Sequence, residues 1–120
     1  MSTTMKKSVL VIDDEKDLCN LISRVLEKDG FSVDCALNLA EGTRKLNAHP
    51  DIVILDNNLP DGNGLEYIQM HPDEFIQSFV IMISADSSAD LQEGAAFAGI
   101  TAFLTKPFSF DRMKKIIKSA

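Results

Sequence analysis

Five short apolar runs punctuate the chain: VLVI at 9–12, FSVDCA at 31–36, IVIL at 52–55, FVIMI at 79–83 and TAFL at 101–104. Most are continuous rather than alternating. A strand that alternates keeps one face in water, whereas a strand apolar at every position is buried on both faces, as in a parallel sheet covered by helices. The segments between the runs carry the helical period. Leu18, Leu21, Ile22, Val25 and Leu26 fall on one helix face at i, i+3, i+4, i+7 and i+8, and Gly30 follows as a stop. Asn38 with Glu41, and Asn63 with Glu66, have the spacing of capping boxes and open a second and a third helix. The third is short, because His71-Pro72 interrupts it. Leu91, Ala95 and Ala98 mark a fourth helix, softened by Gly94 and closed near Gly99. Phe110, Met113, Ile116 and Ile117 mark a fifth, with Ser109 as its cap. Strand and helix alternating five times specify an α/β fold of the (βα)5 type: a doubly wound, five-stranded parallel sheet with helices on both faces, because the crossovers are right-handed.

The chain of 120 residues fits one domain, expected over 1–120, with no linker, repeat or low-complexity tract. A net charge of −6 argues against direct binding to nucleic acid or to an anionic membrane, since both demand a basic face. No apolar run approaches the roughly 20 residues of a membrane span. The lysines of MSTTMKK lead into an apolar run too short for a signal peptide before Asp13 and Asp14 arrive, so a cytoplasmic location is expected. Cys19 and Cys35 have no metal-type spacing and sit in apolar patterns, which predicts two small buried side chains rather than a disulfide.

Chemistry collects at the ends of the runs. The stretch IVILDNNLPDGNG drives a buried strand straight into Asp56 and then breaks into a Pro/Gly turn. Strand one ends in Asp13-Asp14, strand four in Ser84 and strand five in Lys106-Pro107. In an open parallel sheet these ends share the carboxyl edge, where ligands bind. Three carboxylates brought within about 4 Å repel by roughly 4 kcal/mol per pair at an effective dielectric near 20, so a cation is implied. An all-oxygen set favours a hard metal, and Mg²⁺ suits a site that keeps waters and shares a phosphate oxygen. Asp13, Asp14 and Asp56 against Mg²⁺ and the Lys106 ammonium sum to zero charge, a balance ready for a phosphoryl group. Simpler readings exist for each residue alone. Asp13-Asp14 could cap the first helix, Asp56 could form a turn, and Lys106 could be a solvated charge. Phe103 is a partly packed aromatic in any fold. His49 and His71 read as surface residues, and Arg112, Lys114, Lys115 and Lys118 as the solvated face of the last helix.

VIDDE at 11–15, ILDNNLPDGNG at 54–64, ISA at 83–85 and FLTKPF at 103–108 together resemble the receiver domain of two-component response regulators, over essentially the whole chain. The resemblance implies the flavodoxin-like strand order 2-1-3-4-5. It implies that Asp56 is the phosphoacceptor, taking its phosphoryl group from the phosphohistidine of a sensor histidine kinase or a phosphotransfer protein. Asp13, Asp14, Asp56 and the backbone carbonyl of Asn58 would hold Mg²⁺. Lys106 would pair with a phosphoryl oxygen, placed by a cis bond to Pro107. Ser84 would hydrogen-bond the phosphoryl group, and Phe103 would swing inward in response. Asn58 and Asp86 stand where side chains of the family tune dephosphorylation. Asn57 and Ile100 depart from the commoner residue types at their positions.

Such a domain is a switch and not a turnover enzyme on external substrates. Its partners would be the kinase, an unnamed downstream effector or output domain, and in some settings a second copy in a phosphorylation-dependent homodimer. An aspartyl-nucleophile phosphatase would need a second acid two residues beyond Asp56, where Asn58 stands. A dinucleotide or flavin module would need a Gly-rich turn after strand one, where DDEKD would repel phosphate. A degenerate receiver that binds partners without phosphorylation is the remaining alternative.

Overall fold

The computed structural model describes residues 6–120. Five parallel strands form the sheet: β1 (Ser8–Ile12), β2 (Ser32–Ala36), β3 (Ile52–Asp56), β4 (Phe79–Ser84) and β5 (Ala102–Thr105). Their spatial order is β2-β1-β3-β4-β5, the 2-1-3-4-5 arrangement. In register, Val9 to Ile12 lie beside Ile52 to Leu55, and Ile52 to Asp56 beside Phe79 to Ile83. Helices α1 (Lys16–Lys28), α2 (Leu39–Leu46), α3 (Gly64–Met70), α4 (Ala89–Phe97) and α5 (Phe110–Lys118) fill the crossovers. A 3₁₀ turn at Pro72–Glu74 follows α3, where His71-Pro72 ends the helix.

The sheet divides the apolar residues by strand alternation. Leu10, Ile12, Val53, Leu55, Val80 and Met82 form one core with α2, α3 and α4. Val9, Val11, Ile52, Ile54, Ile81 and Ile83 form the other with α1 and α5. The middle strands serve both cores, so from Val9, Ile52 and Phe79 onward they carry no polar position until their carboxyl ends. β2 is an edge strand, and its Ser32 and Asp34 are exposed.

The sequence signals at the helix ends have physical counterparts. Asn38 Oδ1 accepts the Glu41 N–H (2.8 Å), Asn63 Oδ1 the Glu66 N–H (3.0 Å), and Ser109 Oγ the Arg112 N–H (3.1 Å). At the end of α1, Gly30 takes φ +92°, and the Phe31 N–H reaches back to the Leu26 carbonyl. This is a Schellman closure that glycine adopts without strain.

Two expectations are corrected. Cys19 and Cys35 are joined as a disulfide instead of standing as two separate thiols. Cys19 does lie in the apolar interior, but strand alternation turns Cys35 toward the same face of the sheet as Val11. Its Cα is thereby 6.3 Å from that of Cys19, within bridging reach. Leu21, read as part of the buried face of α1, is 46 % exposed. The inward line of that helix is Cys19, Ile22 and Leu26, so the face is rotated toward the cysteine.

Candidate functional site

Four strand ends deliver the site. β3 runs through buried Ile52 to Leu55 and ends on Asp56, which is 4 % exposed. β1 ends one residue before Asp13, whose N–H bonds the Ala36 carbonyl of β2 and whose side chain is wholly buried. Ser84 closes β4 and is also wholly buried. Lys106 follows β5, its N–H bonded to the Ser84 carbonyl (2.8 Å), and the Lys106–Pro107 peptide is cis.

Lys106 Nζ is the centre of the arrangement. It lies 2.7 Å from Glu15 Oε1, 2.9 Å from Asp13 Oδ2 and 3.1 Å from Asp56 Oδ2. Carboxylate oxygens of Asp13, Glu15 and Asp56 all fall within 4.8 Å of one another. Burial opposes the charge on Lys106, but its close contacts with the carboxylates of Glu15, Asp13 and Asp56 outweigh this and hold the ammonium above the ordinary lysine range. Burial raises the Asp56 carboxyl above its usual range, and the negative charge of Asp13 acts in the same direction. The Asn58 N–H, donated to Asp56 Oδ1 at 3.1 Å, and the Lys106 ammonium work against that rise.

Asp13 shows what the cluster lacks. Its Oδ1 accepts the Glu15 N–H at 2.8 Å. Its Oδ2 touches the Lys106 ammonium, yet no donor approaches it with hydrogen-bonding geometry. A buried carboxylate oxygen with charge contact but no directed donor is a coordination position waiting for a cation. Three carboxylates against one ammonium leave two negative charges, which one divalent ion balances. The donors are all oxygen, so the residues fit a hard divalent cation.

Of the residues singled out from the sequence, Asp13, Asp56 and Lys106 meet directly. Asp14 is exposed and is not among the three converging acids. Asn58 is also exposed and contributes its N–H to Asp56, at the start of a two-residue antiparallel ribbon pairing Asn58–Leu59 with Gly62–Asn63. Ser84 Oγ accepts the Asp86 N–H (3.0 Å), Asp86 Oδ1 accepts the Ser88 N–H (2.8 Å), and Ser88 Oγ accepts the Leu91 N–H (3.3 Å). A continuous relay of hydrogen bonds thus runs from the site hydroxyl to the first turn of α4. Phe103 is half-buried on β5 and packs against the core beneath α4.

Sequence reasoning missed three residues. Glu15 is the third acid of VIDDE; it holds the N-cap position of α1 without capping it, which frees its carboxylate for Lys106. Asn57, treated as a neutral departure, is buried, and its Oδ1 accepts the Leu65 N–H at the start of α3. Asp61 looked like turn chemistry only. Its two oxygens accept the N–H groups of Leu39 (2.8 Å) and Ala40 (3.0 Å), clamping the loop after β3 onto the N-terminus of α2. The run of acids signalled the first; nothing local signalled the other two.

The sequence profile of the response regulator receiver domain matches residues 9–118. The chain is 33 % identical over 116 residues to the response regulator protein PilR of Pseudomonas aeruginosa, covering 96 % of this chain and 26 % of that protein. It is 34 % identical over 118 residues to the KDP operon transcriptional regulatory protein KdpE of Escherichia coli, covering 94 % of this chain and 50 % of KdpE. It therefore spans half or less of these curated relatives. Among solved structures, a CheY-like response regulator receiver domain protein from Methanospirillum hungatei superposes with a TM-score of 0.87 at 26 % identity, over 96 % of this chain and 94 % of that one. The chain belongs to the response regulator receiver domains of two-component systems.

Proposed function

We propose that the domain is a phosphoacceptor switch whose acceptor is Asp56. The observation that carries this reading is the convergence of Asp13, Glu15 and Asp56 on one lysine at the carboxyl edge of the sheet. A histidine kinase or phosphotransfer protein would supply the phosphoryl group. An Asp56 oxygen attacks phosphorus, the P–N bond to the donor imidazole breaks with its electron pair going to nitrogen, and the ring, already protonated at its other nitrogen, leaves as neutral imidazole. Lys106 already touches the acceptor oxygen and follows it onto the phosphoryl group, neutralising charge on its oxygens. Transfer of this kind needs positioning and electrostatics more than covalent help. Asp13, Asp56 and the Asn58 carbonyl, with Asp14 or Glu15 completing the acidic set, would hold Mg²⁺, which when bound supplies charge neutralisation at the transferring group. Asp56 is buried beside Asp13, so a divalent ion also favours the ionised form that attacks.

The relay from Ser84 gives the switch a route outward. When Ser84 Oγ turns to the phosphoryl group, it releases the Asp86 N–H and slackens the turn before α4. Phe103 packs beneath that helix and fills the space the turn vacates. The surface of α4, β5 and α5 is then the one that changes, a shift between two pre-existing states. Asp86 and Asn58, flanking the site, would tune attack of water on the acyl phosphate. The downstream partner is an effector or output domain that reads this surface.

The test is intact-protein mass spectrometry after incubation with Mg²⁺ and a small acyl-phosphate donor. One added phosphoryl group, absent from Asp56→Asn and from a chelated sample, is the expected result. No adduct in protein shown by titration to bind Mg²⁺ would overturn it in favour of a receiver that binds partners unphosphorylated.

A further inference from the structure

The opposite edge of the sheet carries a feature that the phosphoryl site does not use. A cleft of about 390 Å³ opens between the 3₁₀ turn after α3 and the end of α4, floored by Ile68, Val80 and Ile100. Two large apolar side chains stand exposed here: Ile76, 78 % exposed, lines the cleft, and Phe97, 96 % exposed, lines an adjoining hollow that shares Ile68, Pro72 and Ala98 with it. A phenylalanine that exposed on a helix contributes nothing to the fold, and such a pair beside a cleft is the pattern of a docking surface rather than of scattered surface apolarity.

Charge identifies the occupant. From Asn47 to Thr105 the chain has nine Asp and Glu and no Lys or Arg; all twelve basic residues lie outside this segment. The cleft is built wholly from inside it. Asp73 lines the cleft and Glu74 adjoins it. Glu93 stands one helical turn before Phe97, so that exposed apolar residue shares its helix face with an exposed acid. A second copy of the chain would set two acidic rims face to face. Phosphate-bearing surfaces are repelled for the same reason. We infer that this cleft docks a cationic amphipathic helix of a partner protein, with apolar anchors against Phe97 and Ile76 and Lys or Arg against Asp73 and Glu93. Helix-in-groove recognition uses this combination of an apolar stripe and flanking charge.

The experiment is an amide-shift titration of the ¹⁵N-labelled chain with a synthetic Leu/Lys amphipathic helical peptide and its Leu/Glu counterpart. The proposal expects saturable shifts centred on Ile76 and residues 97–101 with the cationic peptide only. Affinity should fall about tenfold or more in Phe97→Ser, in line with loss of an anchor residue, and likewise in the pair Asp73→Lys with Glu93→Lys. These surface changes leave both cores untouched, and an unchanged wild-type spectrum elsewhere verifies the fold. Equal binding of the two peptides, shifts confined to other faces, or insensitivity to Phe97→Ser would overturn it. So would sedimentation showing self-association that Phe97→Ser abolishes, which would assign the cleft to a second copy.

Discussion

Lys106 stands among three carboxylates, a position a metal ion would also favour. Among the described residues it is the one cation in contact with all three, and both its raised pKa and its short contacts follow from that. Lys106→Met removes a competitor for the acids and a donor to the phosphoryl group together. Calorimetric titration should show Mg²⁺ bound several-fold more tightly, while phosphorylation by a small donor slows by about 10²-fold, the scale seen when one oxyanion donor is lost. Unchanged phosphorylation would show that Lys106 only balances charge. Asp61 acts purely on structure. Hydrogen bonds from Leu39 and Ala40 hold its carboxyl below the usual range. A depressed folded-state pKa contributes stability above the unfolded value of about 3.9, and the contribution disappears as pH falls through the lower folded value. Asp61→Ala should therefore cost about 0.5–1 kcal/mol in denaturant unfolding near neutral pH, the low end for a cap because the group is exposed. The difference from wild type should shrink toward zero in strong acid.

At the scale of elements, the close approach of α3 to β3 sets the position of the acceptor. A Cβ on Gly64 would lie 2.6 Å from the backbone oxygen of Asp56, and the Gly64 N–H bonds the Asn57 carbonyl at 2.8 Å. Backbone cannot yield as a flexible side chain does. Gly64→Ala should destabilise the fold by about 1–3 kcal/mol, the range for overpacking. It should also slow phosphorylation of Asp56, because the start of α3 and the end of β3 must separate; stability and rate measured on the same variant check both. This contact shows why the elements were more legible than their docking. Asn63 and Glu66 announce a helix through local hydrogen bonds between neighbours, whereas the spacing of Gly64 from Asp56 depends on two elements packing. Likewise the apolar period of α1 was plain, but its inward line was not, because rotation by a fraction of a turn decides whether Leu21 or Cys19 faces the sheet.

For the whole molecule, the disulfide ties α1 to edge strand β2 across a separation of 16 residues. Closing a loop of that size removes unfolded-state entropy worth about 3 kcal/mol in the chain-entropy account. Treatment with a reductant should lower the unfolding free energy by about that amount, and Cys19→Ser with Cys35→Ser should match the reduced protein and lose the response. A midpoint indifferent to reductant would show that packing alone holds β2. What the sequence determined by itself is whatever rests on near neighbours along the chain: five buried strands, five helices with their stops and caps, and an acid, hydroxyl or lysine at each functional strand end. These are set by periodicity and by hydrogen bonds spanning three or four residues. Only the tertiary structure decided which groups meet: Glu15 with Lys106, Asp61 with the N-terminus of α2, and Cys19 with Cys35. Each pair is distant in sequence, and its distance is fixed by how two elements rotate and pack, a quantity with no local signature.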